Sequence, residues 1–289
     1  MIKKTIIVFV AFFCIYTFIV LLNPSMSATQ HQWQENVVRA EKYIYDESDT
    51  ITNLIVGSSL AQRIKIDSLP QFYNLAFAGQ SLFDGLEIVR HKKKLPKNIF
   101  IEINLIFKEQ NKEFSAGFFQ PLTYNIKKYC ISFRSDKQPL FFIYPIIQKA
   151  MPKGNENKKR EVKSLKTDIK ENEIFNSMMK LQISNYSKIP DSNFVSGQFL
   201  LLADLVKELK NKGVNIIFFE MPLNPNLVEL PLARFIRNKT YEFFPQNVNN
   251  YIKLPNCSNY ITRDGLHLRY EETLIYTSFF KEEAKRFNP

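Results

Sequence analysis

The segment Ile51-Thr52-Asn53-Leu54-Ile55-Val56-Gly57-Ser58-Ser59-Leu60 constrains the fold more than any other part of the chain. Leu54, Ile55 and Val56 follow one another without a polar break, the pattern of a strand covered on both faces. A strand of that kind needs helices above and below it, as in a parallel α/β sheet. Gly57 permits backbone angles that the preceding residues resist, so a tight turn is expected there. The turn presents Ser58 and Ser59 at the carboxyl end of the first strand, the edge at which open α/β sheets hold ligands. Taken alone, glycine and serines after a strand make an ordinary turn. Arg263-Asp264-Gly265-Leu266-His267-Leu268 changes its meaning, because it places an acid three residues before a histidine.

The same grammar repeats downstream. Phe72 to Ala76 reads as a second short strand, ending in the small-residue loop Phe77-Ala78-Gly79-Gln80-Ser81. Ser81 is placed to cap a helix over Leu82 to Lys94, which Pro96 closes. Asn98 to Leu105 is a third strand whose alternation puts Glu102 and Asn104 on one face and Ile101 and Ile103 on the other. Polar groups at the end of a buried strand need partners or face a site. Phe199 to Lys212 reads as an amphipathic helix stopped by Gly213, and Val214 to Glu220 as a fourth strand. A helix over Pro231 to Phe243, a short strand near Asn259-Tyr260-Ile261 and a last helix from Tyr270 to Phe287 complete the pattern. Alternation of this kind specifies a three-layer α/β/α sandwich with a parallel sheet. Between about 108 and 196 the pattern loosens into aromatic-rich helical stretches, including Phe141-Phe142-Ile143-Tyr144 and the charged Lys153 to Lys170. We read that region as an insertion over the sheet, with no catalytic motif in it and aromatic side chains spent chiefly on packing.

The amino terminus bears on the compartment. Lys3 and Lys4 precede an uncharged apolar run from Thr5 to Leu22. At about 1.5 Å per residue this run approaches the ~30 Å hydrocarbon core of a bilayer. It is longer than the core of most signal peptides, which favours an uncleaved anchor, although Ser25-Met26-Ser27-Ala28 offers small residues for cleavage. Positive charge before the run and none after it until Arg39 puts the amino terminus inside and the rest outside. Residues 1–28 are therefore read as anchor or signal peptide, 29–50 as a connector carrying a helix over Gln30 to Tyr45, and 51–289 as the α/β domain with its insertion.

The formal charge is +11 at pH 7. No basic tail concentrates it and no zinc-finger or RNA-binding pattern accompanies it, so nucleic acid is not the partner it suggests. An anionic lipid surface or an acidic cell-envelope polymer suits it better. The chain has 3 cysteines and 3 histidines, with none of the Cys/His spacings that hold zinc, so neither a metal nor another cofactor is expected. Cys130 and Cys257 fit equally a disulfide in an oxidising compartment or two free thiols.

Serine becomes a nucleophile when an imidazole takes its proton, and the imidazole needs an acid to fix its tautomer. His267 is the one histidine of the carboxyl-terminal half, and Asp264 lies within reach of its ring in the same loop. His31 lies beside the apolar run, and His91 sits in a basic helix where solvation accounts for it. A tetrahedral intermediate also needs donors for its oxyanion. The backbone N–H groups of Ser59 and Gly79 and the side-chain amide of Asn104 follow predicted strand ends on one sheet edge.

In that order, Gly57-Ser58-Ser59-Leu60, Asn74 to Gly79, Asn104 and Asp264-x-x-His267 resemble the four blocks of the SGNH/GDSL hydrolases. The resemblance covers roughly residues 51–107 and 196–287. It implies a flavodoxin-like sandwich with Ser59 as nucleophile, Ser59, Gly79 and Asn104 as oxyanion hole, His267 as base and Asp264 as its orienting acid. Two positions depart from the family. Its Gly-Asp-Ser is Gly-Ser-Ser here, and its Gly-x-Asn-Asp is Glu102-Ile103-Asn104-Leu105. These departures are similar to the membrane-anchored, extracytoplasmic branch that includes the teichoic-acid D-alanylation protein and polysaccharide O-acetylation partners. The α/β-hydrolase elbow Gly-x-Ser-x-Gly does not fit, since position 61 is Ala. The resemblance thus implies an acyl transferase or esterase on cell-envelope polysaccharide or glycolipid, in a cell membrane and facing the periplasm or cell surface. The alternative is a catalytically silent anchored partner that binds an envelope polymer or a membrane acyltransferase.

Overall fold

In the computed structural model of the chain, the residues described are 2–22, 32–46, 51–139 and 160–287, without the side chains of 160–171. Phe141 to Tyr144, His31 and the small residues Ser25–Ala28 lie outside them. Among the described residues there are five strands: β1 Asn53–Val56, β2 Phe72–Asn74, β3 Asn98–Glu102, β4 Asn215–Phe219 and β5 Asn250–Tyr251. The α-helices are α1 Ile2–Leu21, α2 Gln32–Tyr45, α3 Leu82–Arg90, α4 Lys112–Gly117, α5 Pro121–Tyr129, α6 Arg160–Tyr186, α7 Ser192–Asn211, α8 Pro225–Val228, α9 Pro231–Phe243 and α10 Tyr270–Ala284.

All five strands pair in parallel in the order β2-β1-β3-β4-β5. The chain therefore leaves β1 for one side of the sheet and crosses back to the other, making a switch point between β1 and β3. β1, β3 and all of β4 after Asn215 are buried, as their unbroken apolar runs require. On one face, Phe280 of α10 packs against Phe72, Phe100 and Phe219, with ring centroids 6.0, 5.3 and 5.2 Å away. On the other face, α3 approaches closely through Gly85, where a Cβ would come within 2.7 Å of Val56 Cγ1. Helices thus lie on both faces of the sheet, consistent with the layered architecture expected from the sequence.

The helix ends follow local chemistry. Ser81 caps α3 in a capping box, its side chain accepting from Phe83 N while Asp84 accepts from Ser81 N. Asp84 also accepts from Asn111 N at 2.8 Å, which ties the loop after β3 to this helix start. Burial pushes the Asp84 carboxyl up to about 6, against the pull of those two hydrogen bonds. α3 stops at Arg90, four residues before the expected end at Lys94. Three consecutive lysines and the approach to Pro96, which disfavours helical angles just before it, end it there. α7 starts earlier than expected because Asp191 caps it through Asn193 N. It closes in a Schellman motif, with Val214 N donating to Leu209 O and Gly213 N to Lys210 O.

At the amino-terminal edge, an asparagine opens each of β1, β3, β4 and β5. Their side chains bond in sequence, Asn98 to Asn53 at 2.7 Å, Asn215 to Asn98 at 2.9 Å and Asn250 to Asn215 at 2.7 Å. The ladder fixes the register of four strands in a place where alternation gives no information. Beside this edge, Lys92, Lys93, Lys94, Lys97 and Lys212 line a cavity of about 750 Å³. Part of the chain's positive charge is therefore gathered at the end of the sheet away from Ser59.

By its contacts the chain divides into two units, Met1–Glu47 with Ala116–Asn157, and Ser48–Ser115 with Lys158–Pro289. The division falls inside the stretch read from sequence as one insertion. In the first unit, α1 is long and apolar enough to cross a membrane. There α2 buries Glu41, whose carboxylate takes Lys127 Nζ at 2.5 Å and the N–H and hydroxyl of Ser135 at 2.6 and 2.8 Å. The second unit holds the sheet. Cys130 and Cys257 are free thiols. The strand expected near Asn259-Tyr260-Ile261 is absent as such. Thr262 makes a single antiparallel bridge with Leu268 instead, and the fifth strand is the earlier Asn250–Tyr251.

Candidate active site

The turn after β1 is built by β3. Glu102, the last residue of β3, aims its carboxylate at the turn, and Oε2 accepts from Ser58 N at 2.8 Å and Ser58 Oγ at 2.6 Å. Ser58 Oγ in turn accepts from Leu60 N at 3.2 Å. Gly57 is required here by space. A Cβ on it would lie 2.7 Å from Glu102 Cβ and 2.9 Å from Ala61 Cβ. Gln62 N donates to Ser58 O at 3.1 Å, closing an α-turn that contains Ser59, and the chain runs on into a short 3₁₀ turn over Ala61–Arg63. Burial raises the Glu102 carboxyl, while hydrogen bonds from the Ser58 hydroxyl and N–H and from the backbone of Asn104 and Leu105 oppose that rise.

The loop that carries Asp264 and His267 is closed on itself. Arg263 N donates to His267 O at 2.7 Å and Arg269 N to Ile261 O at 3.0 Å. Asp264 Oδ1 accepts from Leu266 N at 3.0 Å and His267 N at 2.8 Å, and its Oδ2 lies 2.7 Å from His267 Nδ1. Burial alone would raise the Asp264 carboxyl. The hydrogen bonds from the His267 ring and backbone and from Leu266, with the charge of the ring, outweigh it and hold the group at about 2. Gly265 has φ +91°, and a Cβ there would also come within 2.7 Å of Met179 Sδ on α6. Asn224 N, ahead of α8, donates to Gly265 O at 2.9 Å, pinning the loop to the connection after β4. Arg63 Nη1 donates to Leu268 O at 3.0 Å from the side of the serine turn.

These two loops meet. His267 Nε2 lies 2.9 Å from Ser59 Oγ, which completes a hydrogen-bonded chain Ser59–His267–Asp264 across more than two hundred residues of sequence. The side chains of His267 and Asp264 are 21% and 28% exposed, so the chain of bonds is reachable by a large substrate. With its Nδ1 facing a carboxylate, the imidazole presents Nε2 to the hydroxyl in the tautomer that accepts a proton.

The expected oxyanion donors sit at the same sheet edge, after the carboxyl ends of β1, β2 and β3. Gly79 occupies a turn closed by Gln80 N to Phe77 O, with φ +77°. Among the described residues, neither Ser59 N–H nor Gly79 N–H donates a hydrogen bond. Asn104 is fixed by a reciprocal pair with Met221, Nδ2 to the carbonyl at 2.9 Å and Oδ1 from the N–H at 2.7 Å. One N–H of its amide is spent there and one remains. No hydrogen bond joins Gly79 or Asn104 to Ser59 among the described residues. His91, set aside from the sequence, is exposed, with Nδ1 2.9 Å from Glu87 O on its own helix.

Two contributors were not assigned from the sequence. Glu102 stood out as a buried polar residue without an identified partner. Met179 belongs to α6, whose inward face Phe175, Met179, Gln182 and Tyr186 recurs at helical spacing inside a stretch dominated by charge. Among the described residues, no group of three or more His, Cys, Asp and Glu side chains is arranged to hold a metal ion. No family model matches the chain, and no curated protein or solved structure is similar to it.

Proposed function

We propose that this chain is a membrane-anchored, extracytoplasmic serine acyl transferase or esterase of the SGNH/GDSL type, acting on acylated cell-envelope polysaccharide or glycolipid. The observation that carries the reading is the 2.9 Å contact between Ser59 Oγ and His267 Nε2, with Asp264 at 2.7 Å behind the ring. The strand order and the position of Ser59 beside the β1/β3 switch point support the flavodoxin-like form of that family.

In the proposed reaction Ser59 Oγ attacks the acyl carbonyl carbon and its proton passes to His267 Nε2. Asp264, ionised far below neutral pH, stabilises the imidazolium so formed. The carbonyl oxygen becomes an oxyanion held by Ser59 N–H, Gly79 N–H and the remaining amide hydrogen of Asn104. When the intermediate collapses, the departing sugar oxygen takes the proton from His267 and the acyl group stays on Ser59. A second hydroxyl, from water or from another sugar, is deprotonated by His267 and releases the acyl group by the reverse sequence. Every step uses groups of the chain itself and needs no cofactor.

The test is Ser59→Ala in the full-length protein. Loss of labelling by a fluorophosphonate probe and of acyl-ester cleavage, together with a changed acyl content of envelope polysaccharide by mass spectrometry, is the expected result. Labelling that persists in the variant overturns the assignment of the nucleophile. A wild-type protein that takes no label and cleaves no ester leaves the anchored binding partner as the function.

A further inference from the structure

The unit formed by Met1–Glu47 and Ala116–Asn157 carries an apolar face that no described part of the chain covers. On α5, Leu122, Ile126 and Tyr129 recur at i, i+4 and i+7 and so share one side of the helix. They are 74%, 39% and 76% exposed, and Phe133 in the turn that follows is 49% exposed. The opposite side of α5 is held firmly. Lys127 reaches the buried Glu41, and the Tyr124 ring lies 5.7 Å from that of Tyr45 on α2. The open face is therefore held in a fixed orientation by its packing on α2.

Its neighbour within the unit indicates what covers it. The turn after α5 packs on α1: the Phe133 ring is 5.7 Å from Phe13, and Ser132 Oγ donates to Thr17 Oγ1 at 2.9 Å. Counting back from Leu21 at about 1.5 Å per residue, Phe13 lies ~12 Å inside the end of α1. That depth falls within the ~15 Å half-thickness of a hydrocarbon core. A ring packed on Phe13 is then at the level of the acyl chains, and the exposed side of α5 continues from it. Tyr129 and the flanking Lys128, whose ammonium stands 5.6 Å from the Tyr129 ring, are the residue types that settle at a headgroup boundary.

We propose that α5 is an in-plane interfacial helix, with Leu122, Ile126, Tyr129 and Phe133 docked in the lipid of the bilayer that α1 crosses. The inference rests on α1 being an anchor, and it adds a second membrane contact some hundred residues further along the chain. Its occupant is lipid, not the helix of another membrane protein.

The chain has 1 tryptophan, Trp33, so site-specific emission is obtained in a Trp33→Phe background. Four variants of the full-length protein in nanodiscs are compared: Val10→Trp in α1, Leu122→Trp and Tyr129→Trp on α5, and Leu200→Trp on α7 in the other unit. All four positions are exposed, so the larger ring meets no packed core. Lipids brominated on the acyl chains should quench positions 10, 122 and 129 by about twofold or more and leave position 200 unquenched. Quenching at 10 with 122 and 129 behaving like 200 overturns the docking while leaving the anchor intact. No quenching at 10 overturns the anchor, and the docking falls with it. Quenching at 122 and 129 that appears only when a second membrane protein is added overturns lipid as the occupant.

Discussion

Glu102 holds Ser58 at two points, the backbone N–H at 2.8 Å and the hydroxyl at 2.6 Å, and through it sets the corner on which Ser59 stands. On the proposed SGNH/GDSL reading, the aspartate expected in the serine turn is replaced by a short hydroxyl, and a carboxylate reaches the turn from the neighbouring strand. Glu102→Ala would leave the Ser58 N–H and hydroxyl buried without an acceptor, a loss of about 1–3 kcal/mol for each unsatisfied group. Glu102→Gln keeps one acceptor oxygen and should be milder in urea unfolding. If Ser59 is the nucleophile, as proposed, the turn positions it, and ester cleavage by Glu102→Gln should fall in kcat with KM little changed. A Glu102→Gln enzyme with wild-type kcat would show that the carboxylate serves stability alone.

Asp264 takes two backbone N–H groups on one oxygen and the His267 ring on the other. Its carboxyl is held at about 2, so it stays ionised throughout the range in which activity is measured. The acid limb of a pH–rate profile above pH ~4 is then not due to Asp264. Asp264→Asn should lower kcat by about a thousandfold or more through loss of the imidazolium partner and of the tautomer it enforces. The lowered value also means that the native state binds fewer protons than the unfolded chain, so this contribution to stability is present above the unfolded pKa and is lost as pH falls towards 2. Asp264→Asn should therefore unfold in acid with a weaker pH dependence than wild type.

The Asp84 carboxyl acts with the opposite sign. Burial raises it to about 6 from an ordinary value of 3.8, so the folded protein binds more protons than the unfolded chain between these limits. Stability from this group is full below pH 3.8, declines as pH rises and is gone above about 6. Asp84→Asn, which cannot ionise, should flatten the denaturation midpoint between pH 4 and 6. A variant whose slope matches the wild type would show that Asp84 titrates normally.

The fold was legible wherever one local pattern decided the outcome. Leu54-Ile55-Val56, Ile99-Phe100-Ile101 and Ile216 to Phe219 became buried parallel strands because continuous apolar runs have no exposed face to offer. Pro231 fixed the start of α9, and the expected range Pro231 to Phe243 is the observed one. Sequence reading failed where a long-range partner decides. Tyr260-Ile261 are strand formers by type, yet Ile261 O accepts from Arg269 N and Thr262 bridges to Leu268, so this stretch pairs with the end of the His267 loop and not with the sheet. Asn250–Tyr251 pair with β4 although asparagine is poor strand material, because Asn250 joins the asparagine ladder. In the candidate site, Ser59, Asp264 and His267 were chosen by residue type and order, and the structure brings the three together. The tie from Glu102 to Ser58 was not readable, since a strand's alternation shows which side a carboxylate faces but not what stands opposite.

Gly265 sits between the two residues of the loop that touch the imidazole chemistry, and two separate constraints converge on it. Its φ of +91° is a conformation that side-chain-bearing residues rarely adopt, and an added Cβ would lie 2.7 Å from Met179 Sδ and 3.2 Å from Leu227 Cδ1. The methionine sulfur is flexible and gives way at modest cost, whereas the backbone angle cannot be relieved without rotating the peptide that carries Leu266 N to Asp264 Oδ1. Gly265→Ala should cost about 1–2 kcal/mol of stability. It should lower kcat by more than that loss explains, because the rotated peptide releases Asp264 and with it the His267 ring. Met179→Ala in the same background removes the steric constraint and leaves the angular one. If the double variant recovers stability but not kcat, backbone angle governs the geometry of the loop; if it recovers both, packing from α6 does. Thermal unfolding and ester-cleavage kinetics on the single and double variants distinguish the two outcomes.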